Sequence, residues 1–121
     1  TGCAAIMIGR ASMGNPWIFD EVSAALEGRN KPKPPSNFEV IEVCRKYIGE
    51  LIEYHGERNG TNLAKKQIVW FTAGMPGCKS LRTEVFAATR KEQIFSAIDR
   101  FSINLEEMEN IITETKAVRC R

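Results

Sequence analysis

The sequence predicts a mostly helical protein, in which one strand–turn–helix unit and a proline-rich spacer precede a bundle of about five helices. Three observations support this prediction. Residues 4–8 form a short apolar run without alternation, which is typical of a strand buried on both faces. Three prolines among residues 32–35 prevent a helix from crossing that segment. From residue 36 onward, apolar residues recur at three-to-four spacing, the period of an amphipathic helix.

The N-terminal unit combines the apolar run with a turn and a helix. Residues 9–16 contain two glycines, an asparagine and a proline, so they predict a turn. Pro16 suits the first turn of the following helix, which Gly28 ends. We divide the chain into this unit (residues 1–28), a linker (29–37) and a helical domain (38–121).

The helical domain carries recognisable signals for the beginning and end of each helix. The first helix of this domain is long and ends at His55, which lies on its apolar face. Four further helices follow, and their apolar residues extend to Phe71, Phe86, Phe101 and Ile112 respectively. We expect His55 to be structural. The bounding signals, in chain order, are the capping box Ser36–Glu39, the stop at Gly56 with Asn59-Gly60, the breaker at 74–77, the capping box Thr89–Glu92 and the cap Asn104–Glu107.

Composition limits the class of protein. The chain has 121 residues, of which 43% are apolar and 26% charged, as in a soluble globular domain. No apolar run approaches the roughly 20 residues that span a bilayer, so we expect no membrane segment. The start lacks an initiator Met and a signal peptide, and we expect it to be the interior of a longer sequence.

The cysteines and the histidine do not suggest a metal site. Four cysteines lie far apart without a Cys-x-x-Cys pair, and the chain has one histidine. We therefore predict no metal ligands, reduced thiols and a cytoplasmic location. The cysteines are Cys3, Cys44, Cys78 and Cys120.

Two segments are candidates for binding anions. A buried strand that enters a glycine turn and then a helix offers backbone N–H groups to a phosphate. Gly9 allows close approach and Arg10 can form a fork to phosphate oxygens, although ordinary strand-to-helix turns also have this pattern. Residues 61–101 hold seven Lys/Arg against three Asp/Glu, which makes them the second candidate.

Several longer strings resemble the tRNA-dihydrouridine synthase family, with the bacterial B-type branch most similar. The resemblance covers roughly residues 1–101, and its first and third blocks are the specific ones. The blocks are residues 1–19 (TGCAAIMIGRASMGNPWIF), 54–58 (YHGER), 64–67 (AKKQ), 70–77 (WFTAGMPG) and Leu81-Arg82.

The resemblance implies a fold and an activity. Members of the family reduce uridines in tRNA to dihydrouridine. The reductant is FMN, which NADPH reduces in turn, and FMN lies at the mouth of a (β/α)8 TIM barrel. Residues 1–28 would then be the barrel's last strand–turn–helix unit, with Gly9 and Arg10 at the FMN phosphate. Lys65, Lys66 and Arg82 would bind the tRNA backbone.

The same resemblance implies that this segment is inactive alone. The family's catalytic Cys and the residues around the flavin ring belong to earlier barrel loops, and no cysteine here aligns with that Cys. We therefore assign no catalytic residue and expect no FMN on the isolated chain. Two positions depart from the family pattern: Ala4 replaces a frequent acidic residue, and Gln67 replaces a histidine after the two lysines.

Other interpretations stay open from the residues. The chain can be a free-standing helical RNA-binding module, a protein-interaction bundle without an RNA role, or part of another flavin barrel, although residues 70–82 argue against the last. Trp17, Trp70 and Phe71 at helical spacing are more often core than base-stacking residues. Six basic side chains can simply solvate the surface: Lys65, Lys66, Lys79, Arg82, Arg90 and Lys91.

The apolar run at residues 4–8 poses a structural problem. A strand cannot satisfy its edges without a sheet. We therefore expect residues 1–28 to be poorly anchored, converted to helix, or paired with another copy through self-association.

Overall fold

The structure, a computed structural model, describes residues 1–119, with side chains to residue 116. A 3₁₀ turn at Arg10–Ser12 precedes five α-helices, and the described residues contain no strand. No helix among them is long and apolar enough to cross a membrane. The helices are α1 (Ile18–Leu26), α2 (Asn37–His55), α3 (Glu57–Phe71), α4 (Cys78–Ala87) and α5 (Lys91–Arg119).

The mostly helical fold is confirmed, but the strand predicted at residues 4–8 does not form. These residues adopt no regular structure, and Met7 and Ile6 are 95% and 56% exposed. A strand needs a neighbour to receive its backbone hydrogen bonds, and the described chain offers none. The apolar run therefore lies on the surface.

The capping box at the start of α2 is confirmed in full. The Glu39 backbone N–H donates to Ser36 Oγ over 3.2 Å, and the Ser36 N–H donates to Glu39 Oε2 over 2.9 Å. Two of the N–H groups that a helix start leaves unpaired are thus satisfied reciprocally. Local sequence alone determines where this helix begins.

Helices α2 and α3 form a hairpin whose turn is Gly56, at φ +79°. The predicted stop at Asn59-Gly60 is wrong, because α3 already begins at Glu57 and Gly60 lies buried inside it. A Cβ on Gly60 would stand 2.5 Å from the Cα of Ile52. Gly60 is therefore a packing residue that brings the two helix backbones together.

The breaker predicted at residues 74–77 is confirmed: the turn between α3 and α4 occupies residues 72–77. Ahead of α5, Gln93 replaces the predicted Glu92 in the cap: its Oε1 accepts from the N–H groups of Thr89 (2.7 Å) and Arg90 (3.2 Å). The predicted break at Asn104 is wrong, because α5 continues through it to Arg119. Leu105, the residue after Asn104, is buried in the core, and its packing keeps this part of α5 helical.

The four long helices enclose one core. Its fully buried centre includes one large apolar side chain from each of α2 to α5: Ile48, Ile68, Val85 and Ile94. His55, by contrast, is exposed and contacts the Tyr54 ring edge-on at 5.0 Å, so its assignment to the apolar face is wrong. It is the last residue of α2 and lies beyond Ile52, the last buried residue of that helix.

Replacing Gly60 with alanine should destabilise the bundle. The new Cβ has no room beside Ile52, and such overpacking typically costs about 1–3 kcal/mol, more than the gain of up to about 1 kcal/mol in helix propensity. The free energy of unfolding, from urea titrations followed by circular dichroism, measures the change.

Gly49→Ala is the matched control. Gly49 lies inside α2, and its Cβ would meet only Phe95 Cζ at 4.0 Å. This variant should therefore be neutral or more stable by up to about 1 kcal/mol. Equal stabilities of the two variants would show that the close approach of α2 and α3 is not a constraint.

Candidate functional sites

The turn at Gly9 and Arg10 is open to solvent. Gly9 has φ −101° and ψ −115°, and no atom lies within 4 Å of where its Cβ would be. Its carbonyl accepts from the Ser12 backbone N–H (3.0 Å) and from Ser12 Oγ (2.7 Å), which fixes the 3₁₀ turn. Arg10 is exposed. An accessible backbone beside an exposed guanidinium fits the phosphate end of a flavin nucleotide, but these residues do not enclose a ring.

A second glycine attaches this segment to the helical bundle. Gly14 has φ +69°, and a Cβ there would stand 2.5 Å from the carbonyl carbon of Trp70 and 2.7 Å from the N of Phe71. Trp17, three residues on, packs against the core cluster. The segment is thus anchored at residues 14–17, while its first eight residues make little contact.

The structure places Lys65 at the border between α3 and α4, and Arg82 on the exposed surface of α4. Lys65 is half-buried, and its Nζ donates to the carbonyl of Phe86 over 3.4 Å. Arg82 is exposed and lies one helical turn before Phe86, on the same face of α4. Lys66 is exposed and instead shares a stripe of α3 with Trp70, four residues later.

Other cations are held in ion pairs. Arg45 donates to both carboxylate oxygens of Asp99, over 2.9 and 3.3 Å, and lies over the Phe95 ring at 5.1 Å. The hydrogen bond to Asp99 raises the pKa of Arg45. Arg100 similarly donates to Glu84 over 2.9 Å. Sequence reasoning missed both pairs, since their members lie 54 and 16 residues apart without a local signal.

The aromatic side chains divide between core and surface. Phe71 is buried, with 7% exposure, and Trp17 is half-buried against the core, as the packing interpretation expects. Trp70 keeps 39% of its surface exposed beside Lys66. Of the three, Trp70 has the most surface available to a planar ligand.

The described cysteines differ mainly in exposure. Cys44 lies in the core, and burial raises the pKa of its thiol to about 12, so it stays protonated at neutral pH. Cys78 is half-buried at the first residue of α4, and Cys3 is exposed. Cys120 lies outside the described residues. Residues 1–119 contain no grouping of three His, Cys, Asp or Glu side chains able to hold a metal ion.

Fold and exposed charge define a helical-bundle protein that bears a cationic surface on α3 and α4 and an open glycine–arginine turn ahead of the bundle. The family model described as dihydrouridine synthase (Dus) matches residues 1–113 of this chain. The chain therefore belongs to the dihydrouridine synthase family.

Curated relatives agree with this family. A probable tRNA-dihydrouridine synthase of Mycobacterium leprae is 35% identical over 100 residues, which are 83% of this chain and 26% of the relative. The tRNA-dihydrouridine synthase B of Pseudomonas aeruginosa is 36% identical over 69% of the chain and 25% of its own length. That of Pasteurella multocida is 32% identical over 95% and 35%. The chain thus spans about a quarter to a third of these relatives.

Replacing Gly14 with alanine should release the N-terminal segment from α3. The substitution places a Cβ against the backbone of Trp70 and Phe71 and adds strain at a positive φ. Amide hydrogen exchange of residues 10–19, read by mass spectrometry, should become faster while exchange in α2 stays unchanged.

Gly28→Ala serves as the control for this variant. Gly28 has φ +68°, but no atom lies within 4 Å of its Cβ position. An alanine at this position therefore strains the backbone in the same way without a steric clash. Its effect on residues 10–19 should be small. Identical exchange in both variants would mean that the contact with α3 does not anchor the segment.

Proposed function

We propose that the chain is the C-terminal portion of an FMN-dependent tRNA-dihydrouridine synthase, which reduces uridine in tRNA to 5,6-dihydrouridine at the expense of NADPH. The observation that carries the proposal is the family match over residues 1–113, in a chain whose matched residues cover about a quarter to a third of its relatives. We also propose a cytoplasmic location, where free thiols such as Cys44 are stable.

In this proposal, residues 1–28 complete the TIM barrel of the intact enzyme, and residues 29–37 link it to the helical domain of residues 38–121. The exposed apolar side chains support this role, since a surface patch of that kind usually contacts protein. They include Ile6, Met7, Phe19 and Leu26, which are 52% to 95% exposed.

Gly9 and Arg10 are proposed to hold the FMN phosphate. The open backbone at Gly9 and the exposed guanidinium of Arg10 support this assignment. When bound, FMN supplies the hydride-transfer chemistry. The contribution of this chain is to bind and orient the phosphate end, while the catalytic thiol comes from elsewhere in the intact protein.

Lys65, Lys66 and Arg82 are proposed to bind the phosphate backbone of tRNA. Lys66 and Arg82 are exposed, and half-buried Lys65 lies at the border of α3 and α4, so all three charges belong to these two adjacent helices. Backbone contacts of this kind position a nucleic acid without reading its sequence. Exposed Trp70 lies beside Lys66.

A self-contained core favours a second candidate, a helical RNA-binding module that acts without catalysis. The core cluster draws only on residues 40–105, with Trp17 against it. Tight, salt-dependent tRNA binding by the 121-residue chain favours this module, and absence of binding at low salt excludes it.

A chimera tests the proposed role in the synthase. This chain replaces the matching C-terminal segment of the Pasteurella multocida enzyme, and mass spectrometry of digested tRNA measures dihydrouridine. We expect activity, with Arg10→Ala lowering the FMN content per protein. Arg29→Ala, another exposed arginine, should leave FMN content unchanged. A soluble chimera without dihydrouridine activity would argue against the synthase proposal.

Removing both lysines tests the tRNA interface. Lys65→Gln with Lys66→Gln should weaken tRNA binding and lower the slope of log K against log salt by up to about 2, because about one counterion is released per phosphate contact. Fluorescence anisotropy with labelled tRNA measures both quantities.

Lys33→Gln with Lys46→Gln provides the matched control. Both side chains are exposed and lie outside α3 and α4, and the double variant loses the same net charge. It should change the salt slope little. Equal losses in the two double variants would show that only total charge matters and that no interface lies at Lys65 and Lys66.

A further inference from the structure

The aromatic ring of Phe86 lies on the side of α4 that is turned away from α5. Phe86 is 50% exposed and does not belong to the core cluster. Glu84 marks the side of α4 that faces α5, because its Oε2 accepts from Arg100 over 2.9 Å. Phe86 follows Glu84 by two residues, which is about 200° around a helix. The ring therefore points away from α5 and is open to a ligand.

Two cationic side chains flank Phe86. Lys65, on α3, donates from its Nζ to the carbonyl oxygen of Phe86 over 3.4 Å. Arg82 precedes Phe86 by four residues, so their side chains are neighbours on one face of α4. Glu84 is the one acidic residue of α4, and its ion pair with Arg100 neutralises it. The exposed ring therefore lies among positive charges that no carboxylate of α4 offsets.

Two other aromatic side chains provide a comparison. Phe38 is 51% exposed, as much as Phe86, but it lines a cavity together with Glu106 and Glu109. An anionic ligand would be repelled there. Trp70 is less exposed, at 39%. Phe86 thus combines the larger open ring surface with a cationic environment, which favours a planar group that carries negative charge beside it.

An aromatic ring between cations is a recurrent way of binding an unpaired nucleotide. The cations contact the phosphates, and the ring stacks on the face of the base. Bases inside a double helix are already stacked on one another, whereas those in loops and at ends can turn their faces to a protein. The ligand that matches both the ring and the charges is therefore an RNA segment with an unpaired base.

We propose that Phe86 stacks on an unpaired base of the tRNA, while Arg82 and Lys65 contact phosphates next to that base. This inference rests on the proposed function, because the tRNA backbone site at Lys65, Lys66 and Arg82 is part of it. Phosphate contacts alone do not distinguish a loop from a stem. The ring adds that distinction, so Phe86 is a positioning residue that directs the helical domain to a loop or an end of the tRNA.

Removing the ring from the 121-residue chain tests the stacking, with fluorescence anisotropy of labelled tRNA as the measurement. Phe86→Ala should raise the dissociation constant about tenfold, which corresponds to about 1.4 kcal/mol. The slope of log K against log salt should stay unchanged, because a stacked base releases no counterion. Phe86→Trp, which keeps an aromatic face, should bind as tightly as the unsubstituted chain. Circular dichroism of both variants should be unchanged, because Phe86 lies outside the core.

A second variant and a second RNA serve as controls. Phe38→Ala removes an equally exposed ring from an acidic environment and should change tRNA binding less than about twofold. The second probe is a fully paired RNA duplex, which holds its bases in the stack. Phe86→Ala and the unsubstituted chain should bind this duplex with equal affinity, because only phosphate contacts remain.

The outcomes separate this inference from the proposed function. If Phe86→Ala binds tRNA as tightly as the unsubstituted chain, or loses as much affinity for the duplex as for tRNA, stacking by Phe86 is overturned and the synthase proposal stands. A loss with Trp70→Ala but not with Phe86→Ala overturns it as well. If the unsubstituted chain binds no tRNA at low salt, both the tRNA interface and the stacking are overturned, while dihydrouridine formation by the chimera still tests the synthase proposal.

Discussion

The close approach of α2 and α3 at Gly60 is the constraint on which the bundle depends. With a virtual Cβ only 2.5 Å from the Cα of Ile52, the two backbones leave no space for a side chain between them. Ile48 and Ile68 can then be fully buried on the two helices, and α4 and α5 pack over the hairpin to close the core. A wider hairpin would leave voids at each of these layers, and dense packing tolerates few voids.

A second close approach transmits this rigidity to the N-terminal segment. Gly14 lies directly on the backbone at Trp70 and Phe71, the last residues of α3. The open turn at Gly9 and Arg10 is therefore five residues from a fixed point, although it has few contacts of its own. In the proposed enzyme, this attachment would relate the position of the phosphate turn to that of the basic helices, since both depend on α3.

Local signals allowed much of the fold to be predicted, and tertiary contacts account for the rest. The capping box at Ser36–Glu39 and the turn before α4 were predicted because neighbouring residues alone determine them. Gly60 and Asn104 resemble helix ends locally, but packing against α2 and burial of Leu105 keep both inside helices. The prediction of a strand at residues 4–8 was wrong because a strand needs a neighbouring strand, and the described residues contain none.

The candidate site shows the same division. The sites at Gly9 and Arg10 and at Lys65, Lys66 and Arg82 were predicted from a turn pattern, local charge and family resemblance. None of these carries geometry, so the roles of these residues stay predictions. The ion pairs of Arg45 with Asp99 and Arg100 with Glu84 depend on which helices pack together, and sequence spacing does not show that. They nevertheless affect where an anion can bind, because they remove charges of both signs.

Pairing in fact strengthens the local positive charge. Among residues 61–101, Arg100 neutralises Glu84, while Asp99 is neutralised by Arg45 from outside the segment. Six cations then stand against one unpaired acid, Glu92. The unpaired charge within residues 61–101 is therefore more positive than the composition of that segment indicates, and an anionic polymer would be attracted to it over about a Debye length. Lys65 also donates to the Phe86 carbonyl. The same side chain would therefore serve both the proposed binding of tRNA and the contact between α3 and α4.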